Sequence, residues 1–440
     1  MAVDSNLKIP FPFQRAQIFD LDDRLAFWNA PDTIRFFEDH GYILYRRILK
    51  NGYVTCATTP VMPPPVEFMD ADYPYASHDS KLGRTDPLLA EDIRGKVVFA
   101  QDSLGRHVAI KLVRDNTDEH RILQFLHQQP LELLQENCVV PILDLLPIEG
   151  FWFAVMPRWG GSVRHPQANT ILDVLDIVHA MLKGLSFLHK RNITHGDIND
   201  ENVLVNHFCD SRIEGQCSVR WDLRSRRQLS YALFDFDFSM MFPPDMDRTH
   251  CRLSYDKSWG TFCMVHDTAQ GEFDYDPFIF DVGNMGVVFC DLCQHLTPAA
   301  PFLAPLLDRM TTRDLERRFT AYEALRFFEE MFSQMSETQL KTPYWVKESE
   351  VYLPFDEYDR WKDLPSDFVN KWSSYREPPI PLLTKFLRWL CGPEWAHHVI
   401  AYIRWFAYSL VSMPTGVFST HLVGLRLSGW TPFIQRSLPF

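Results

Sequence analysis

The chain is short of positive charge. It carries 44 Lys and Arg against 57 Asp and Glu, a formal net charge of −13 at pH 7 over 440 residues. That balance argues against general affinity for nucleic acid, whose phosphates call for a basic footprint. A basic stretch followed by an apolar run is also missing at the start. Met1-Ala2-Val3-Asp4-Ser5-Asn6 is polar, so secretion is not expected and an intracellular, cytoplasmic location is. The nine cysteines are odd in number and irregular in spacing, and read as reduced thiols. Cys290 and Cys293 have metal-ligand spacing but no second pair. They fall in the helical run from Asn284 to His295, where core thiols are the better account. No internal repeat or low-complexity tract occurs. Nor is there a clean membrane span. Trp405 to Leu425 contains no Lys, Arg, Asp or Glu, but Pro414, Gly416 and several hydroxyl residues interrupt it, so a membrane is not the expected partner.

What is present suits a globular chain. Hydrophobic residues make up 46 % and charged residues 23 %, and the length allows about two to three domains. Residues 1–84 read as a leader and linker. A helix is expected over Asp32–His40, stopped by Gly41, and an extended segment over Pro60–Pro65. Ile171, Val174, Leu175, Val178, Met181, Leu182, Leu185 and Leu188 recur three and four apart, the stripe of a long amphipathic helix. Between Asn206 and Ser230 lies an insert holding Arg212, Arg220, Arg224, Arg226 and Arg227. A solvated hairpin extension is expected there, with a docking loop for an acidic partner as the alternative. Residues 336–440 carry too many Trp, Tyr and Phe for a disordered tail and are expected to pack on the rest of the chain.

The most informative segment is His195-Gly196-Asp197-Ile198-Asn199-Asp200-Glu201-Asn202, followed by the apolar Val203-Leu204-Val205. A carboxylate and a carboxamide five residues apart, in a loop that ends at a buried strand, suit phosphoryl transfer. Asp197 can accept a proton from an attacking hydroxyl, and Asn202 can hold a magnesium ion. Downstream, Tyr231-Ala232-Leu233-Phe234-Asp235 is an apolar strand delivering a second carboxylate, the natural ligand of such an ion. Upstream, Arg106–Val113 alternates as a strand with Lys111 among apolar residues, and Glu119 opens the helical stretch that follows. An ion pair between them would aim the lysine at phosphates.

These four elements, in this order, resemble the eukaryotic-like protein kinase superfamily. Phe153-Ala154-Val155-Met156-Pro157-Arg158-Trp159 resembles the last small-lobe strand and the hinge. Asp281-Val282-Gly283 resembles the signature of the central large-lobe helix, and Arg318–Leu325 the closing helix. The run from Tyr275 to Gly283 is most similar to a large set of uncharacterised fungal kinase-like proteins. The resemblance implies an α+β, two-lobed protein-kinase-like fold: a small β-rich lobe over 85–156 and a large helical lobe over 157–335, with an N-terminal leader and an aromatic C-terminal tail. It implies ATP and Mg²⁺, or Mn²⁺, as cofactors and a protein as substrate or binding partner. Asp197 would act as base with Asn199 beside it, Lys111 and Glu119 would steady the phosphates, and Asn202 and Asp235 would hold metal. Gly95, Met156 and Arg158 would line the nucleotide.

Departures from the family pattern matter as much. By spacing from Lys111 the glycine-rich loop falls near Ala90–Gly95, where only Gly95 remains and Ala90 and Asp92 stand for the first two glycines. Asn199 occupies the place of a lysine, Gly196 that of an arginine, and Asp237 that of the glycine in the metal motif. Glu119 is only eight positions beyond Lys111, with Asn116 or Thr117 available to cap its helix and Asp118 as an alternative partner. The Ala-Pro-Glu segment is replaced by Gly260–Asp267, in which Asp267 can pair with Arg318. Phosphotransfer to a protein hydroxyl is the leading reading. A pseudokinase scaffold and a small-molecule kinase, the latter suggested by His-Gly-Asp, are the alternatives.

Overall fold

The computed structural model describes residues 7–11, 21–50, 53–62, 73–79, 88–91, 95–161, 163–165, 167–210, 217–248, 251–261, 264–344 and 354–411. Two short helices come first, α1 (Leu21–Trp28) and α2 (Pro31–Asp39), the second ending just before Gly41. The strands that follow are β1 (Tyr42–Leu44), β2 (Arg46–Lys50), β3 (Tyr53–Thr59), β4 (Ser77–Asp79), β5 (Ala90–Glu91), β6 (Val97–Asp102) and β7 (His107–Arg114). Helices α3 (Asp118–His127) and α4 (Leu131–Glu136) precede β8 (Asp144–Ile148) and β9 (Phe151–Pro157).

Five of these strands form one antiparallel sheet in the order β1-β6-β7-β9-β8. Alternation along β7 explains its two faces. Val108, Ile110 and Leu112 are buried against Phe27, Trp28, Phe36 and Phe37 of α1 and α2, while Lys111 and Val113 turn the other way. Residues read as a leader thus supply both the cover of the sheet and its edge strand, Tyr42–Leu44, which pairs with Ala100–Asp102. The connection from β1 to β6 occupies residues 45–96. It holds a second sheet, β2-β3-β5, and the strand β4. Pro63–Pro65, Asp92, Ile93 and Arg94 lie outside the described residues.

The large lobe is built on α5 (Ile171–Lys190). Thr170 and Asp173 close a capping box at its start, and its apolar stripe is buried. Short strands β10 (Ile193–Thr194), β11 (Val203–Val205), β12 (His207–Cys209), β13 (Tyr231–Leu233) and β14 (Met240–Met241) carry the loops of interest. In the insert, helix α6 (Ser218–Ser225) replaces the expected solvated hairpin. Arg220 and Arg224 are buried and donate to the carbonyls of His165 and Val163, so this pair serves packing. Helices α7 (Pro277–Cys293), α8 (Leu303–Thr311) and α9 (Ala321–Phe332) complete the lobe, with Cys290 and Cys293 as buried free thiols of α7.

The tail adds α10 (Glu337–Leu340), α11 (Ser366–Trp372), α12 (Leu382–Leu390) and α13 (Glu394–Val411). Parts of it touch the large lobe, but Leu382, Phe386 and Trp389 of α12 and Trp395, Tyr402 and Phe406 of α13 are exposed, so the expected packing of the aromatics does not extend to these helices. Buried Arg360 donates to Asp308 at 2.5 Å, the Trp361 indole donates to the same carboxylate at 2.7 Å, and Arg404 meets Glu272 at 3.2 Å. Among the described residues no helix is long and apolar enough to cross a membrane. Most of Trp405–Leu425 lies beyond them.

Candidate active site

Thr117 caps α3, its hydroxyl accepting from the His120 N–H at 3.2 Å, and so fixes the helix at once after β7. That tight entry puts Glu119 in the first turn, 2.5 Å from the Lys111 ammonium. Asp118 faces Arg121 instead and accepts from the Met241 N–H at 3.2 Å. Beyond β13, Asp235 adopts a left-handed backbone (φ +65°), rare for a residue with a side chain and typical of sites that hold strain for a purpose. Its carboxylate reaches Lys111 at 2.6 Å. Asp237 reaches Lys111 at 2.8 Å with one oxygen, and Lys96 at 3.8 Å with the other.

The electrostatics follow from this crowding. Burial works against the Lys111 charge, but the three carboxylates outweigh it and hold its pKa well above the usual value. Burial pushes the Glu119 carboxyl up to about 7, opposed by Lys111 and helped by Asp237. For Asp237, burial is outweighed by Lys111 and by a hydrogen bond with Glu119, and its pKa falls.

The facing loop hangs on one buried carboxylate. Asp281 of α7 accepts from the backbone N–H of His195 at 2.7 Å and of Gly196 at 2.9 Å, and the His189 ring lies 3.1 Å away. Held there, Asp197 receives the Asn202 amide at 3.0 Å on one oxygen. The other oxygen is buried with no hydrogen-bond partner among the described residues. Burial raises the Asp197 pKa. With its nitrogen committed to Asp197, the Asn202 amide has its oxygen to offer a cation. A base with a bare oxygen, an amide beside it, and a lysine clamped by carboxylates across the cleft form the equipment of a phosphoryl-transfer site.

No family model matches the chain. Individual relatives do. The chain is 28 % identical over 199 residues to the serine/threonine kinase NLK of Caenorhabditis elegans, covering 42 % of this chain and 29 % of that protein. It is 23 % identical over 233 residues to the mitogen-activated protein kinase p38a of Drosophila melanogaster, covering 46 % and 61 %. With human mitogen-activated protein kinase 13 it shares 22 % over 333 residues, 63 % and 86 %. The chain is thus similar, at low identity, to serine/threonine protein kinases. It spans 29 % of the worm kinase and 61 % of the fly kinase, less than two thirds of either.

Seen as a kinase-like chain, the remaining residues sort themselves. Met156 pairs with Ala109 and lies on the Lys111 face of the sheet. Arg158 does not turn to the cleft: it is buried, donates to the Tyr45 hydroxyl at 2.8 Å, and lies over the Phe99 and Phe208 rings at 4.4 and 4.2 Å. Gly95 packs on α1, its carbonyl accepting from the Trp28 indole at 2.8 Å; an added Cβ would press on Arg24. The loop near Ala90–Gly95 is therefore no phosphate cradle on its described residues, since β5 pairs with β3. Asn199 is spent locally: its oxygen accepts from the N–H groups of Glu201 and Asn202, capping the turn before β11. Gly196 has φ +77°, and a Cβ there would collide with the Phe238 carbonyl, which explains why no arginine stands at that position. Asp267 meets Arg318 in a buried bidentate pair at 2.6 and 2.7 Å.

Two contributors escape a reading of the sequence alone. Lys96 lies just before an apolar run, where a lone lysine signals nothing. Arg164 ties the loop to α7 by contacts of 2.5 Å to both Asp200 and Asp291. A cavity of about 790 Å³ lies between the large lobe and the tail; several of its charges pair with one another, among them Arg360 with Asp308 and Arg388 with Asp356, and no residue of the Lys111 site lines it.

Proposed function

We propose that this chain is a phosphotransferase that moves the γ-phosphoryl group of ATP, with Mg²⁺ or Mn²⁺, to a hydroxyl group of a protein. The observation that carries the reading is Lys111 held by Glu119 and Asp235, with Asp197 near enough to feel the Asp235 charge and keeping one oxygen without a hydrogen-bond partner among the described residues. The donor chemistry suits a hard cation, since Asp235 and the Asn202 amide oxygen would be its oxygen ligands; the oxygens of Glu119, Asp235 and Asp237 that lie within 4.8 Å of one another surround the Lys111 ammonium instead. When bound, the metal neutralises and orients the phosphates.

The chain's own residues supply the rest. Asp197 takes the proton of the acceptor hydroxyl as its oxygen bonds to phosphorus and the bond to the β-phosphate oxygen breaks, releasing ADP. Its raised pKa makes it a stronger base than a solvated carboxylate. Lys111 balances charge on the phosphates, and Asp281 keeps the loop in register. The similarity to fungal kinase-like proteins and an intracellular location belong to the same reading.

A second reading, a pseudokinase scaffold, draws on the 45–96 connection standing where a short glycine loop would cover phosphates. The deciding experiment is incorporation of labelled phosphate from ATP into protein by the full chain, with Asp197→Asn as control. Transfer that Asp197→Asn abolishes while ATP binding survives supports the enzyme. Full turnover in Asp197→Asn, or no metal-dependent ATP binding by the wild type at millimolar concentration, refutes it.

A further inference from the structure

We infer that Lys96 and Lys111 form a two-lysine phosphate clamp, and that Asp237 is an internal carboxylate bridging both lysines where nucleotide phosphate binds. The inference rests on the nucleotide-binding reading above and adds to it two residues, Lys96 and Asp237.

The backbone brings the lysines together. Val97 pairs with Lys111 across β6 and β7, and the Lys96 carbonyl accepts the Leu112 N–H at 3.0 Å. Lys96 is thereby fixed beside the strand that carries Lys111, whatever its side chain does. The side chains then converge on one acceptor. Asp237 offers one oxygen to Lys111 at 2.8 Å and the other to Lys96 at 3.8 Å, so a single anion spans two ammonium groups. Two oxygens of a phosphate can make the same span, and lysine binds phosphate as a point charge with little demand on angle.

Neutralising Lys111 does not require Asp237. Asp235, 2.6 Å from its ammonium, already matches that charge, and Glu119 lies at 2.5 Å. A third carboxylate is in surplus for one lysine and finds its use as the link to a second. The clamp also answers a deficit in the fold. Backbone N–H groups of a short glycine loop normally cradle phosphates, and here residues 45–96 connect β1 to β6 instead, with Gly95 turned against α1. A side-chain cation at the start of β6 replaces that missing cradle. A phosphate carries more charge than a carboxylate and would displace Asp237, so the two residues affect binding in opposite directions.

The test uses the full chain and its Lys96→Met, Lys96→Arg, Asp237→Ala and Asp237→Asn variants, each first checked by thermal melting. Binding of ATP and of inorganic tripolyphosphate, with and without Mn²⁺, is measured by titration calorimetry; tripolyphosphate reads the clamp without a base. Lys96→Met is expected to weaken both ligands about tenfold, Lys96→Arg to restore most of that loss, and Asp237→Ala and Asp237→Asn to tighten both about tenfold. If Asp237→Ala fails to fold, Asp237→Asn and the Lys96 pair decide. Wild-type binding that no variant alters, or that all variants alter in one direction, overturns the clamp and leaves the proposed function standing. Binding by the Asp237 variants where wild type has none supports the clamp and tells against the wild-type chain as an enzyme. No binding by any of them overturns both.

Discussion

Asp281→Asn is the substitution that tests most directly how the catalytic loop is held. The asparagine has the same shape, so no cavity opens, but one of its two polar atoms becomes a donor. In the wild type both oxygens accept: one from the His195 N–H, with the His189 ring nearby, and the other from the Gly196 N–H. The side chain is fully buried, so water cannot stand in for a lost acceptor. At least one backbone N–H is then left facing another donor, at a cost of about 1–3 kcal/mol, and a lost charged acceptor adds roughly 1 kcal/mol more. A local penalty of about 2–4 kcal/mol means that amides 195 and 196 open at least about tenfold more often, by the usual conversion of 1.4 kcal/mol per decade. Hydrogen exchange followed by mass spectrometry on peptides covering 193–205 reads this directly. Peptides from β7 and β9 are the internal control, because Asp281 does not touch them. Unchanged protection at 193–205 would refute the claim that Asp281 holds the loop.

Glu119 gives a pH test with a definite sign. Burial lifts its folded pKa to about 7 from the ordinary glutamate value of 4.5, so the folded protein keeps this proton longer than the unfolded chain. The resulting stability is fully present below about pH 4.5 and is lost as pH rises through about 7. Melting temperatures of wild type minus Glu119→Gln should therefore fall between pH 5 and pH 8, and a flat difference would contradict the assignment. Gly196→Arg is expected to lower stability by about 1–3 kcal/mol through left-handed strain and collision with the Phe238 carbonyl; a melting temperature equal to wild type would count against it. Removing the tail from residue 345 onward leaves buried Asp308 without Arg360 and Trp361, and should cause aggregation or a lower melting temperature. A truncated form as stable as the full chain would show that these contacts contribute nothing.

The residues with a local pattern were more legible than the architecture around them. Lys111, Glu119, Asp197, Asn202 and Asp235 could be picked out because each sits in a local pattern, a strand or a loop before a strand; the structure joins Lys111, Glu119 and Asp235 in one cluster and Asp197 with Asn202 in another, linked where the Phe234 N–H meets the Asn202 carbonyl at 3.2 Å. Helix α5 announced itself by its stripe. Tyr42–Leu44 did not, since a three-residue strand has almost no pattern and its partner lies more than fifty positions away. Spacing from Lys111 placed a phosphate loop at Ala90–Gly95 because it took the connection before β6 to be short. Arg158 and Asn199 illustrate another limit. Sequence position said where their backbones would be, but packing against Phe99 and Phe208 in one case, and a turn needing a cap in the other, decided where the side chains went.

The strand β4 gives the molecule a splint. Ser77–Asp79 pairs in parallel with His207–Cys209 of the large lobe, while Tyr75 from the same segment donates to Asp102 at 3.3 Å and lies under Arg106 of the small lobe. The Trp159 indole, at the crossing between lobes, donates to the Pro74 carbonyl at 2.8 Å. A two-lobed molecule without such a strap swings about one strand of chain, and ligands come and go by that swing. Here, opening must also detach residues 73–79 from one lobe or the other, each hydrogen bond lost costing about 0.5–1.5 kcal/mol net. The strap therefore adds to the cost of separating the lobes, beyond the contacts of anything held between them.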